Sequence, residues 1–134
     1  MRKARMKRIA LGVLATGMLS ISAFATSFGS SSTMLVKAGG GWQSNYSIKD
    51  TKAYNNVDTG IIKVLEKTMI TTPQGKIVNS GGKTRSTTKE LKGKGQYYVA
   101  LGSECKAKYT YYLSVKPSSA QRGNDYITAQ INVG

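Results

Sequence analysis

The chain has 134 residues, of which 20 are lysine or arginine, six are aspartate or glutamate and none is histidine. Its formal net charge is +14, and it contains a single cysteine, Cys105. This composition excludes zinc sites built from the usual nitrogen and sulfur ligands, hydrolases that depend on histidine, and an internal disulfide.

The first 38 residues have the organisation of a secretory signal peptide. Five basic residues lie within Met1–Arg8, and an apolar run extends from Ile9 to about Phe28. A basic start, an apolar helical region and small residues at a cleavage point define such a leader. The long basic leader resembles those of Gram-positive bacteria. The alternative is an uncleaved membrane anchor, because the apolar run is nearly long enough to span a bilayer.

Two cleavage points fit the requirement for small residues. Cleavage after Ala38, behind the sequence VKA, would leave residues 39–134 as a single secreted domain with 14 basic and six acidic residues and a net charge of +8. Cleavage after Ala25, behind AFA, is the alternative. We expect the first, because a Ser/Gly-rich stretch then separates the apolar run from the cut. Both predict a secreted, extracellular protein.

Beyond the leader, apolar and polar residues alternate with a period of two, which is typical of half-buried strands. In Lys108–Lys116 the alternation predicts that Tyr109 and Tyr111 face the core while Tyr112 faces outward. Gln96–Leu101 alternates in the same way, and the glycine-led loop between the two segments predicts a hairpin. Further strands are predicted at 42–48, 76–79, 83–92 and 127–133.

The segment Ile61–Thr71 is compatible with two structures. Ile61, Leu65 and Met69 would share one face of a helix, but the β-branched residues and the turn sequence TTPQG favour a strand. We therefore predict a strand. Together the segments predict one all-β domain, a small antiparallel β-sandwich or barrel-like domain of about seven strands.

The carboxylates do not form a recognisable catalytic pair. All six are scattered beyond the leader, mostly in turns or beside lysines, so nothing places two of them at the spacing of a glycosidase. Two short motifs, GGKT at Gly81–Thr84 and STTK at Ser86–Lys89, lack the context of a phosphate-binding loop and of a penicillin-recognising serine enzyme. The sequence predicts a protein that is not an enzyme and uses no cofactor or metal.

Basic residues and tyrosines carry the functional signal. Alternation places Lys83, Arg85 and Lys89 of the predicted strand 83–92 on one face, and the predicted hairpin adds outward tyrosines and lysines. As neighbours, these strands would form a cationic face suited to an anionic cell-wall polymer, a membrane surface or sugars. Lysines that only solubilise a sheet would give the same pattern. The predicted face comprises Lys83, Arg85, Lys89, Tyr98, Lys108, Tyr112 and Lys116.

The expected function is that of a secreted, cationic, non-enzymatic β-sandwich protein that binds anionic cell-envelope polymers or another extracellular partner. Nucleic acid would also attract the charge, but export makes it an unexpected partner. Cys105 lies in the loop of the predicted hairpin. It is expected to be either a free thiol in a monomer or the site of an intermolecular disulfide in a dimer.

The sequence GGGWQSNY at Gly39–Tyr46 supplies a second hypothesis. It resembles the mature start of lactococcin 972-type bacteriocins, which are exported β-rich proteins. The resemblance covers about eight of the 134 residues, and the histidine-containing motif expected further along is absent because the chain has no histidine. The resemblance implies a bacteriocin-like secreted antagonist as the alternative function.

Overall fold

The computed structural model of the protein describes residues 27–68 and 70–134. Residues 1–26, which include the basic start, most of the apolar run and the Ala25 cleavage point of the predicted leader, lie outside the described residues, as does Met69. Within the described part the fold is all-β, without helices. It consists of two antiparallel four-stranded sheets in a sandwich-like arrangement.

The eight strands of the described chain are β1 (Ser32–Val36), β2 (Gln43–Thr51), β3 (Thr59–Lys67), β4 (Gln74–Val78), β5 (Lys89–Glu90), β6 (Gly95–Ala100), β7 (Thr110–Lys116) and β8 (Asp125–Asn132). Sheet I has the order β1-β8-β3-β6, and sheet II has the order β2-β7-β4-β5. Six of the seven connections between these strands pass from one sheet to the other. Only β4 and β5 are neighbours both in sequence and in a sheet.

The core lies between the sheets and is built mainly from isoleucine, valine and leucine. On β7, Tyr111, Leu113 and Val115 are buried, which confirms the predicted alternation there. The prediction for Tyr109 is wrong, since its side chain is 64% exposed. Lys108 has a φ of 75°, so the chain turns at this point and extended alternation begins only at Thr110.

The predicted hairpin between Gln96–Leu101 and Lys108–Lys116 is also wrong. β6 is the edge of sheet I and pairs with β3, whereas β7 lies inside sheet II between β2 and β4. The loop between them crosses from one sheet to the other. Alternation identifies which side chains point inward, but it does not identify the sheet to which a strand belongs.

Two other segments have different outcomes. The strand predicted within Ile61–Thr71 is confirmed as β3, so the helical alternative does not apply to its described residues. The continuous strand predicted at 83–92 is wrong: it is reduced to the two residues of β5 and to isolated bridges at Thr84 and Ser86. The reason is that residues 84–87 bond to both sheets and so cannot run along one of them.

Two short segments each form backbone hydrogen bonds to both sheets, and each is termed a crosspiece. The later one in the chain, Thr84–Thr87, is the second crosspiece. The amide of Arg85 donates to the carbonyl of Ile77 on β4 of sheet II at 2.9 Å. Two residues further on, the amide of Thr87 donates to the carbonyl of Ala100 on β6 of sheet I, also at 2.9 Å. The second crosspiece therefore closes one open side of the sandwich.

A first crosspiece, Gly29–Ser30, closes the opposite side. The amide of Gly29 donates to the carbonyl of Ile131 on β8 of sheet I at 2.9 Å. The amide of Ser30 donates to the carbonyl of Lys49 on β2 of sheet II at 3.1 Å. Each sheet is thus tied to the other by backbone hydrogen bonds on both sides.

β1 is part of the packed structure. Its five residues pair with β8, and the side chains of Met34 and Val36 are 3% and 0% exposed. The sequence predicted that the secreted domain starts at residue 39. Residues before that position are therefore also part of the packed structure.

Candidate functional site

The outer face of sheet II collects exposed aromatic rings and lysines. β7 turns Tyr112 and Lys116 outward because its alternate residues fill the core. β4 adds Lys76 on the same side, next to β7, and the chain at the start of β2 adds Trp42 and Tyr46. The set Trp42, Tyr46, Lys76, Tyr112 and Lys116 is termed the aromatic–cationic face.

Trp42 and Lys76 form the most specific contact on this face. The Lys76 Nζ lies 4.1 Å from the centroid of the indole ring, within the range of a cation–π interaction. Lys76 Nζ also donates to Thr84 Oγ1 at 2.7 Å. Burial, and in second place the positive charge of Lys116, lowers the pKa of Lys76. The ammonium is thus positioned by a ring and a hydroxyl, while the ion pairs found in the described residues involve other side chains.

Tyr46 and Tyr112 form a second aromatic element. Their ring centroids are 4.8 Å apart at an interplanar angle of 66°, an edge-to-face arrangement. The register of β2 shifts between Asn45 and Lys49, and Asn45 Oδ1 accepts a hydrogen bond from the amide of Ser47 at 2.8 Å. This bulge allows Tyr46 to meet Tyr112 while Ile48 enters the core.

The face carries a net positive charge. Lys49 is exposed and is the register partner of Tyr112, so it lies on the same side of the sheet as the two lysines of the face. One carboxylate, Glu90, lies on the edge strand β5, separated from Lys116 by Gln74 of β4. Three cations and three rings therefore share a surface with one peripheral carboxylate.

The structure divides the residues that the sequence had grouped together. Tyr112 and Lys116 lie on the aromatic–cationic face. Tyr98 lies on β6, where its register partner is Ile61, on the outer face of sheet I and thus on the opposite side of the molecule. The predicted pairing of the two outward tyrosines is therefore wrong.

The remaining four predicted residues occupy separate places at the periphery. Lys83 is exposed in the connection after β4, Lys89 is exposed on β5, and Lys108 is exposed at the turn before β7. Arg85 lies in the second crosspiece and forms an ion pair with Glu104 at 3.2 Å. The structure does not bring these four side chains together with Tyr98, Tyr112 and Lys116 on one surface.

Sequence reasoning missed three residues of the face: Trp42, Tyr46 and Lys76. A weak alternation at 42–48 indicated that Trp42 and Tyr46 share one side of a strand. It also placed Ile48 on that side, because the bulge could not be foreseen. No signal in the sequence pointed to Lys76, whose position beside Trp42 depends on the pairing of distant strands.

A second cluster of polar side chains is buried at one end of the core. Lys52 is 1% exposed, and its Nζ donates to the carbonyls of Val57 at 2.6 Å and Val133 at 2.8 Å. Asp50 Oδ2 accepts from the amide of Val133 at 2.8 Å. Burial lowers the pKa of Lys52, and the nearby Cys105 thiol, Asp58 and Asp50 oppose that shift. These bonds fasten the loop after β2 to the chain that follows β8, which is a structural role.

Cys105 adjoins this cluster. The thiol is 4% exposed, and burial raises its pKa, while Lys52 and the hydroxyl of Tyr111 act in the opposite direction. The Tyr111 hydroxyl is itself fixed by Lys106, since it accepts from that residue's amide at 2.7 Å and donates to its carbonyl at 3.0 Å. A cavity of about 320 Å³ lies beside Cys105, with Asn55 in its wall. The thiol faces the interior and is held mainly in its neutral form.

Within residues 27–68 and 70–134, no cluster of acidic or sulfur-containing side chains could hold a metal ion. The same residues contain no helix of the length and hydropathy needed to cross a bilayer. No protein-family model, curated protein or solved structure matches the chain. Function must therefore be inferred from the chemistry of the aromatic–cationic face.

Proposed function

We propose that the chain is the precursor of a secreted, non-enzymatic module that binds an anionic, sugar-containing polymer of the cell envelope through the aromatic–cationic face. The observation that carries this proposal is the pair formed by Trp42 and Lys76. The indole is 37% exposed, with an ammonium 4.1 Å from its centroid. Such a pair offers a flat apolar surface and a positive charge at the same point.

The chemistry of the face matches that of a charged glycopolymer. Sugar rings pack their apolar faces on aromatic side chains, and the exposed surfaces of Trp42 and Tyr46 are suited to this. Anionic groups of the polymer meet Lys76 and Lys116, whose mutual repulsion they relieve. Ligand binding would therefore be strongest at low ionic strength and weaken as salt screens the charges.

The location of the ligand follows from the predicted export. The leader would deliver the protein outside the cell, and residues 39–134 alone carry a net charge of +8. A surface of this charge is attracted over long distances to anionic polymers. The burial of Cys105 supports a monomer, because formation of an intermolecular disulfide requires an accessible thiol.

Retention on purified Gram-positive cell walls tests this function. The secreted protein, collected from the medium of a Gram-positive expression host, should bind walls that retain their anionic polymers and should be released as salt is raised. Walls from which the anionic polymers have been extracted should bind much less. No retention even at low salt would exclude the proposed function.

Matched variants test the site. Trp42→Ala and Lys76→Ala should each weaken wall binding by about fivefold to tenfold, as expected for the loss of a cation–π or stacking contact with a charged ligand. The control is Lys63→Ala, which removes the lysine beside Phe28 on the outer face of sheet I. Equal losses in Lys76→Ala and Lys63→Ala would show that binding depends on total charge and has no site on sheet II.

The lowered pKa of Lys76 adds a pH test. Burial lowers the pKa of Lys76, so its ammonium is lost at a lower pH than that of an ordinary lysine, and wall binding should weaken correspondingly early on the alkaline side. Lys76→Arg keeps the charge at alkaline pH and should remove this early weakening. An unchanged alkaline profile in Lys76→Arg would argue against a role for Lys76.

A bacteriocin-like antagonist is the second candidate function. One observation favours it: GGGWQSNY, the sequence that resembles the mature start of lactococcin 972-type bacteriocins, contributes Trp42 and Tyr46 to the aromatic–cationic face. In such a protein the face would hold the antagonist on the envelope of its target. Growth inhibition of related strains by the secreted protein would support this function, and wall binding without any inhibition at micromolar concentration would favour the binding module.

A further inference from the structure

We infer that the leader is removed between Ala25 and Thr26, and that residues 26–38 remain in the secreted protein as part of its fold. This inference shares with the proposed function only the premise of export. It does not depend on the ligand or on the aromatic–cationic face.

The packing of β1 is the first support. Met34 and Val36 are buried in the core between the sheets, and the backbone of Ser32–Val36 pairs with β8. Cleavage after Ala38 would remove these two side chains and leave their space empty, which destabilises a core. It would also expose the backbone groups of β8 as a new sheet edge.

The first crosspiece is the second support. Gly29 fits between β8 and β2 only because it has no side chain: an added Cβ would lie 1.9 Å from the carbonyl oxygen of Lys49. Ser30 Oγ donates to the carbonyl of Ser47 at 2.9 Å, beside the bulge of β2. Cleavage after Ala38 would therefore also remove the closure of one side of the sandwich.

The chain around Ala38 is held by residues from later parts of the molecule. Buried Gln121 donates through Nε2 to the carbonyl of Val36 at 2.8 Å. The amide of Lys37 donates to Gln43 Oε1 at 3.0 Å, and the amide of Ala38 donates to Asn124 Oδ1 at 3.3 Å. Residues 36–38 thus form a fixed turn between two strands of the domain.

The Ser/Gly-rich stretch favoured Ala38, but in leader length and in small residues the sequence around Ala25 fits the cleavage rules better. A leader of 25 residues falls within the usual length of about 15–30, whereas one of 38 exceeds it. AFA places alanine at both small-residue positions, as in the A-x-A pattern, whereas VKA has valine at the first. The packed chain then begins at Gly29, a few residues after the cut.

N-terminal sequencing and intact mass of the secreted protein test the inference directly. Expression of the full chain in a Gram-positive host should yield a product that starts at Thr26. Ala25→Leu should abolish or displace this cleavage, while Ala38→Leu should leave it unchanged. A product that starts at Gly39, or an uncleaved chain held in the membrane, would overturn the inference.

Two variants of β1 test the structural reason. Met34→Asp places a charge in the core and should lower the urea midpoint of the secreted protein, whereas Thr33→Asp, on the outer face of the same strand, should have a small effect. If Met34→Asp prevents folding, Met34→Ala gives a milder version of the same test. A secreted product whose mass and urea midpoint are unaffected by either Met34 variant would show that residue 34 is absent from it, and would contradict the inference. Wall binding is not used in these tests, so their failure and that of the proposed function are distinguishable.

Discussion

The outer face of each sheet carries a contact between a lysine ammonium and an aromatic ring, but the surroundings of the two contacts differ. On sheet II, Lys76 Nζ lies 4.1 Å from the centroid of Trp42. On sheet I, Lys63 Nζ lies 5.2 Å from the centroid of Phe28. Phe28 precedes the first crosspiece, and Gln130 Nε2 on the same face donates to the carbonyl of Gly29 at 3.2 Å. The pair on sheet I therefore holds the N-terminal segment against the sandwich.

The neighbours of each pair strengthen this difference. Around Lys63 the outer face of sheet I includes a carboxylate: Glu66, the register partner of Thr128, forms an ion pair with Lys94 at 3.8 Å. Around Lys76 lie Lys116 and exposed aromatic rings. A lysine beside an aromatic ring is thus insufficient evidence for a binding site. Sheet I also exposes the rings of Tyr98 and Tyr126 on its outer face, so what distinguishes sheet II is the group of lysines beside its rings, with a carboxylate only at the periphery.

The largest expected effect is the difference in stability between substitutions on the inner and the outer side of β7. Tyr111→Ala should lower the free energy of unfolding by about 3 kcal/mol or more, because it removes a large side chain from the core. Tyr112→Ala, on the outer side of the same strand, should cost less than about 1 kcal/mol. Urea denaturation of both variants measures the difference. Similar losses would show that the two sides of β7 have been assigned wrongly.

A comparison of two glycines tests whether the first crosspiece closes one side of the sandwich. Gly29→Ala should destabilise the fold by about 2–3 kcal/mol, because its Cβ would overlap the carbonyl oxygen of Lys49. Gly41→Ala, next to Trp42, places its Cβ in open space and should change stability by no more than about 0.5 kcal/mol. Equal urea midpoints for the two variants would indicate that the first crosspiece does not close the sandwich.

The buried thiol of Cys105 provides a test of the interior through the dependence of stability on alkaline pH. Because the pKa of Cys105 is raised above 9.0 in the folded state, the unfolded chain loses this proton first, and stability should fall as pH rises through 9.0. Cys105→Ala lacks this contribution, so its loss of stability should be less steep, by at most about 1.4 kcal/mol per pH unit. Urea unfolding at pH values from 8 to 10 measures the two slopes. Parallel slopes would mean that the thiol is accessible.

The smallest effect compares the two lysine–aromatic pairs themselves. A double-mutant cycle for Lys76 and Trp42 should give a coupling of about 0.5–1 kcal/mol, since tryptophan is the best ring for this interaction. The cycle for Lys63 and Phe28 should give a smaller value, because the ring is weaker and the distance is longer. A larger coupling on sheet I would reverse the proposed difference between the faces.

Local pattern was sufficient to predict the strand class and part of the core. The alternation of β7 identified Tyr111, Leu113 and Val115 as inward, and the β-branched residues of β3 identified a strand. These predictions succeed because they depend only on the period of the backbone and on side-chain shape.

The arrangement of the strands and the candidate site could not be predicted in the same way. With six of the seven described connections crossing between sheets, adjacent segments such as β6 and β7 are not partners. Lys76 reaches Trp42 only because β4 and β2 lie on either side of β7. The bulge in β2 also places Tyr46 on the outer face of sheet II and Ile48 in the core. Each of these depends on pairing between residues far apart in the sequence.

The position of β8 has a consequence for the timing of folding. This strand is the last in chain order, yet it lies inside sheet I and pairs with both β1 and β3. Sheet I therefore cannot assemble until residues 125–132 are present, and pairing between such distant segments is slow. Under the proposed export, with the N-terminus leaving first, β1 and β3 would have no partner strand β8 until residues 125–132 had also crossed. The long-range pairing of β8, which local sequence does not predict, would thus delay completion of sheet I during the proposed export.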